Sequence, residues 1–348
     1  RPQQGLSFTG YDLSRELLAM ADPGSPAYRP SWAKLAAEVK VENVRRVRVK
    51  LRQPHVLAQA LLQVRLGDQG PNGVRYRVAE QSQGETRFEP TAGAAAPGEP
   101  SPVIVERFYA EPRKAIEDLR KGKIDAIDRL LPSDALRLRN DESLHVAAYA
   151  FPSIHVLVPN RENPFLANRV FRRALVYGIN REVILQKGLL DGAKIEGMRV
   201  LSAPLPAGVT SDDPAAYAYD EAIVPLPYDP VMSAILLRLA EQQLGAAADK
   251  KKEKAPELKE LVLAHPAGEM PRFVCKQIQT QWNVIGVKCT LRELPPGQNK
   301  VTDGKYDVLY AELMIREPLT DAARVFGPAG LVATADPFLS LTLRRLDE

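Results

Sequence analysis

The sequence predicts an α/β protein, on three observations. Ser153-Ile154-His155-Val156-Leu157-Val158 is an extended apolar segment that reads as a strand, and helical patterns follow it through Leu190. Val103–Tyr109, Glu111–Lys121 and Ile124–Asp128 read as strand, helix and strand, the ingredient of a parallel layer. Leu258–His265, Pro271–Trp282 and Val287–Leu294 alternate strand, helix and strand again.

The stretch Asn163–Arg181 organises the chain around it. Val170, Phe171, Ala174, Leu175 and Gly178 recur at helical spacing and make one apolar face, while Arg169, Arg172 and Arg173 fall on the face expected to meet water. Asn168 stands where a side-chain oxygen caps this helix, and Asn180 caps a second one, Arg181–Leu190, which Gly192 helps to end. Pro204, Pro206 and Pro214 then break the chain into a loop.

Elsewhere, residues 8–22 read as a turn and a helix capped by Asp12 or Ser14. Residues 35–52 begin helical and end in a half-buried strand, where Val47, Val49 and Leu51 alternate with Arg48, Lys50 and Arg52. Val56–Val64 is expected to be a short helix, and residues 71–80 a strand with Val74, Tyr76 and Val78 on one face. Thr91–Pro102 reads as a surface loop, Leu130–Asn140 as a helix and Leu144–Phe151 as a strand. Asp229-Pro230 opens a long helix with Met232, Ile235, Leu236, Leu239 and Leu244 as its apolar stripe, followed by a charged, solvated insertion at 245–258. Asp307–Ile315 is a further strand and Ala335–Asp347 a closing helix.

Composition excludes several classes. The net charge of +4 is small for 348 residues and well mixed, so no nucleic-acid or membrane-surface stripe is implied. The basic strand Arg45–Arg52 lacks the interleaved aromatics that stack on bases. No run of 18 apolar residues exists to span a bilayer, and RPQQGLSFTG carries no hydrophobic signal-peptide core, as a processed exported protein would not. The two cysteines, Cys275 and Cys289, read as buried small apolar residues rather than a disulfide.

Catalytic signatures are missing. There is no phosphate-binding glycine motif, no nucleophile elbow and no H-E-x-x-H. The four histidines, His55, His145, His155 and His265, stand singly, so no metal site and no cofactor are expected. Asp125 and Asp128, three apart on the expected strand, point to opposite sides, and no catalytic residue is assigned.

The chain resembles the extracytoplasmic solute-binding proteins of family 5, which serve peptide and nickel ABC transporters. That family's run P-F-x-D-x-x-V-R-x-A-L-x-x-A-I-D-R is matched by Pro164-Phe165, Arg172, Ala174-Leu175, Ile179 and Arg181, with Asn168 and Asn180 in place of two aspartates. Arg107–Asp128, Tyr228-Asp229-Pro230, Gln277–Leu294 and Lys305-Tyr306-Asp307 resemble further family segments in the family's order.

The resemblance implies a periplasmic-binding-protein-like type 2 fold of two lobes with a hinge near Phe151–Val158, lobe I being incomplete. Residues 1–70 would form a peripheral subdomain of lobe I, 71–154 part of its core and 155–348 lobe II, with the first strands before Arg1 and a returning strand after Glu348. The implied function is the solute-binding component of an ABC importer, taking a peptide-like or other small organic ligand between the lobes. The alternative is a binding-protein-like sensing or interaction module without a transport role. The implied partners are that ligand and a transporter permease, with no nucleic acid; the protein would be a non-catalytic monomer outside the cytoplasm. Peptide-binding members carry a Trp and an amine-pairing Asp after Y-D, where this chain has Ala311 and Met314, and an acid near the hinge where it has Leu157. The candidate ligand residues are His155, Leu157, Glu312, Met314 and Arg316.

Overall fold

The structure is a computed structural model that describes residues 9–54, 76–91, 101–147, 153–195, 197–205, 219–220, 222–298, 301, 304–315, 318–327, 330–332 and 337–346. The expected helix Val56–Val64 and nearly all of the loop at 91–102 lie outside them. The chain divides into two compact units, Arg1–Tyr109 with Arg316–Glu348, and Ala110–Ile315.

In the first unit, α1 (Gly10–Ala19) is capped by Thr9, whose side chain accepts from Asp12 N while the Asp12 carboxylate accepts from Thr9 N. Asp12 is thus the reciprocal partner three residues inside the helix and not the cap itself. After α2 (Pro30–Leu35), the strand β1 (Ala36–Asn43) occupies ground expected to begin helical, because it pairs antiparallel with β2 (Arg46–Leu51). Strand β2 alternates as expected, and Val47, Val49 and Leu51 pack on a cluster of Leu17, Met20, Trp32 and Leu35. Strands β3 (Tyr76–Gln81), β4 (Glu85–Pro90) and β5 (Ile104–Arg107) form an antiparallel meander. Val78 is exposed on it.

The second unit opens with α3 (Pro112–Arg120) and α4 (Pro132–Leu138). Gly122 ends α3 at φ +66, a conformation a side chain would strain. Ile124–Asp128 forms no strand, and neither do residues 144–147. Strand β5 pairs antiparallel with β4, the expected parallel unit is not formed, and Asp125 and Asp128 lie exposed in a loop.

The sheet of this unit contains β6 (Ser153–Pro159), β7 (Leu261–His265), β8 (Cys289–Glu293) and β9 (Val308–Met314) in the order β6-β9-β7-β8. Strand β6 runs antiparallel to β9, while β9, β7 and β8 are parallel. Helix α5 (Pro164–Ala167) and α6 (Arg169–Tyr177) follow β6. Asn168 Oδ1 accepts from Val170 N and Phe171 N, and Phe171, Ala174 and Leu175 are buried, as the spacing predicts. Arg172 departs from expectation: it is half-buried and donates to Leu166 O and Ala167 O, closing the carbonyl end of α5. Asn180 caps the next helix through Val183 N, but Val183–Leu189 winds as a wider π-helix, and Gly192 follows at φ +78.

Helix α7 (Pro230–Lys251) is capped by Asp229, which accepts from Met232 N. Its inward face is not the expected one. Ser233, Ala240 and Ala248 are buried, while Met232, Ile235 and Leu239 are exposed. Small residues let α7 approach α6 closely enough for Ser233 Oγ to donate to Ala174 O at 2.8 Å. Of the expected stripe Leu244 does pack against the core, beside Leu237, while Met232, Ile235 and Leu239 are turned outward. The expected insertion is also shorter, since residues 245–251 continue α7 and bury Ala248.

Helix α8 (Glu269–Val284) connects β7 to β8 and buries Cys275, Ile278 and Trp282 against the sheet. Trp282 Nε1 donates to Leu175 O, which joins α8 to α6. Cys275 and Cys289 are free and buried, and burial raises both thiol pKa values, that of Cys289 to about 12. Helices α9 (Pro318–Phe326) and α10 (Pro337–Leu346) belong to the first unit.

Candidate functional site

The β6–β9 ladder brings four of the five candidate residues onto one face. Its register pairs Ser153 with Met314, His155 with Glu312, Leu157 with Tyr310 and Pro159 with Val308. Residues directly opposite in an antiparallel pair share a face, so His155, Leu157, Glu312 and Met314 stand together. Arg316 lies outside the described residues. Leu157 packs against the core cluster of α6 and α8, as Tyr310 does. Met314 is half-buried, and His155 and Glu312 are exposed. The polar part of this face is therefore the end nearest Ser153 and Met314.

Two residues that sequence reasoning missed complete the cluster. Tyr310 places its hydroxyl 2.7 Å from His155 Nδ1, and the two rings stack at 5.7 Å and 24°. Arg129, from the loop after α3, donates from one guanidinium nitrogen to Glu312 Oε2 at 2.9 Å. An alternating pattern could have flagged Tyr310, because it is two residues from Glu312 on β9. No sequence signal points to Arg129, which is 183 residues from its partner.

The electrostatics follow from this packing. His155 is exposed, yet its pKa is lowered, first by the atoms packed about the ring, with Arg129 also lowering it and Glu312 opposing. Burial chiefly raises the Tyr310 pKa, so its hydroxyl stays protonated. A second polar cluster stands where β7 and β8 end. There Arg272 holds both oxygens of Glu293 at 2.8 Å and also donates to Ala110 O, a fully engaged structural clamp. Among the described residues, no group of three or more His, Cys, Asp or Glu side chains could hold a metal ion, and no helix is long and apolar enough to cross a membrane.

Comparison with known proteins identifies the framework that carries this cluster. Residues 102–324 match the family described as Bacterial extracellular solute-binding proteins, family 5 Middle. The chain belongs to this family. Over 193 residues it is 21% identical to the Dipeptide-binding protein of Escherichia coli (strain K12), covering 55% of this chain and 32% of that protein. Over 209 residues it is 26% identical to the Di/tripeptide-binding protein 2 of Pseudomonas aeruginosa (strain UCBPP-PA14), covering 59% of this chain and 35% of that protein. The chain therefore spans about a third of the length of these curated relatives.

Solved structures extend the likeness. The periplasmic binding protein DppA from Helicobacter pylori, in complex with the peptide STSA, aligns at TM-score 0.67 and 15% identity over 98% of this chain and 70% of that one. NikZ from Campylobacter jejuni, in complex with Ni(L-His), aligns at TM-score 0.62 and 20% identity over 92% of this chain and 65% of that one. The family 5 chain thus has the expected periplasmic-binding-protein-like type 2 fold, matched over most of its own length.

Proposed function

We propose that this family 5 chain is the solute-binding component of an ABC importer and takes a peptide-like or other small organic ligand. The observation that carries this reading is the family match over residues 102–324. The ligand residues would be His155, Glu312 and Met314 at the polar end of the β6–β9 face, with Leu157 as part of its apolar floor. Tyr310 and Arg129 would position the first two. The protein would act outside the cytoplasm, as a monomer, and pass its cargo to a membrane permease. It would bind without catalysing a reaction, a reading supported by the match to a solute-binding family.

Native mass spectrometry of the purified chain, followed by calorimetric titration with di- to pentapeptides, tests this. The expected result is a retained small organic molecule, or saturable binding of one peptide per chain. A chain that arrives empty and gives no saturable heat with any of these probes would refute the peptide-like reading.

A further inference from the structure

We infer that His155 is a donor that reads the carboxylate end of the ligand, and that Glu312 does not serve as the acceptor for its amino end. The inference rests on the proposed peptide-like cargo and deepens it.

The first step is the tautomer of His155. The Tyr310 hydroxyl is buried, 2.7 Å from His155 Nδ1, and among the described residues the imidazole is its one hydrogen-bond partner. Were Nδ1 to carry the proton, the hydroxyl hydrogen would be left without an acceptor in a buried site, which costs more than the bond is worth. The hydroxyl therefore donates to Nδ1. A neutral imidazole with an accepting Nδ1 carries its proton on Nε2. Among the described residues Nε2 has no partner, and the side chain is exposed. Its stacking on Tyr310 holds the ring plane fixed. The result is an oriented N–H at the solvent-accessible end of the face.

The second step is the charge beside it. Glu312 lies directly across the ladder from His155, and a bare carboxylate there would repel a ligand carboxylate and attract an ammonium. Arg129 donates to one oxygen of that carboxylate at 2.9 Å and so offsets part of its charge. The pairing weakens the pull of the acid on an ammonium and its repulsion of an incoming carboxylate. A donor N–H next to a partly neutralised acid suits an oxyanion more than an ammonium. Met314, on the same face of the ladder, agrees, because a thioether offers an ammonium nothing comparable to a carboxylate.

Calorimetric titration of the purified chain with dialanine, N-acetyl-dialanine and dialaninamide tests this. Dialanine and its N-acetyl form are expected to bind alike and the amide about tenfold more weakly, the scale of one charge-assisted hydrogen bond. In His155→Leu the acid-to-amide ratio is expected to collapse toward one, and in His155→Gln, which keeps an N–H, to be partly restored. Equal binding of acid and amide with loss of the N-acetyl form would overturn the inference while leaving the peptide-like reading intact. So would an undiminished ratio in His155→Leu. Failure of all three probes to bind the parent chain would overturn the peptide-like reading itself, and this inference with it.

Discussion

At one end of the β6–β9 ladder Pro159 pairs with Val308, and at the other Ser153 pairs with Met314. The Val308 end is locked by Asp307. Its carboxylate accepts from Asn163 Nδ2 and from Val262 N, its N–H donates to Val262 O, and its carbonyl accepts from Asn160 N. One residue thus ties together the end of β6, the cap of α5 and the start of β7. Beneath it lies the core cluster with Val308, Phe171 and Trp282. The other end has an ion pair with side chains 62% and 38% exposed, and an exposed imidazole. The same two strands therefore serve two purposes. Burial and charge-assisted backbone bonds fix the register at one end, while the other presents exposed polar groups.

Mutation can break that contrast. Trp282→Ala removes a fully buried indole and its bond to Leu175 O, and is expected to cost about 3–5 kcal/mol in urea unfolding. Asp307→Ala should cost about 2 kcal/mol in the same measurement, since two bonds to a charged acceptor are lost at a half-buried site. Asn168→Ala removes the cap of α6 and should cost about 1 kcal/mol. At the polar end, Glu312→Gln should change stability by less than about 1 kcal/mol, because an exposed ion pair contributes little. A Glu312→Gln penalty as large as that of Asp307→Ala would show that both ends hold the fold, and the contrast would fail.

The smallest effect is one of pH. The folded-state pKa of His155 lies below the ordinary value of 6.5, with packing as the first cause, Glu312 opposing and Arg129 assisting. In the interval just below 6.5 the unfolded chain therefore holds the proton more readily than the folded one. The stability contributed by neutral His155 is complete above that interval and is lost as pH falls through it. Protonation would also turn Nδ1 into a donor facing the Tyr310 hydroxyl. The melting temperature of the parent chain is expected to drop more between about pH 7.5 and 5.5 than that of His155→Gln. Equal slopes would show that His155 titrates as it does in water.

The local devices were legible in advance because they act within a few residues. Asn168, Asn180 and Asp229 cap helices as read, since a short side-chain oxygen reaches only the N–H groups two or three positions on. Gly122 and Gly192 stop helices because their backbone must turn to positive φ. Strand β2 alternates as written. The errors lie where a neighbour decides. The strand expected at Ile124–Asp128 does not form, and among the described residues no strand pairs with this segment. On α7 only Leu244 of the expected stripe packs on the core while Met232, Ile235 and Leu239 are exposed, because the contact with α6 is made by small residues and hydrophobicity alone favours large ones.

The candidate site divides in the same way. The alternation of β6 and β9 is a property of each strand, and it puts His155 with Leu157, and Glu312 with Met314, on one face whatever surrounds them. Register then decides that His155 faces Glu312 and that Tyr310 reaches Nδ1, across a separation of 155 residues. The loop that delivers Arg129 decides that the acid is paired. Periodicity and capping are set by bonds along the chain, so the sequence alone determined them. Charge pairing and tautomer depend on contacts between distant segments, and those exist only once the sheet has assembled.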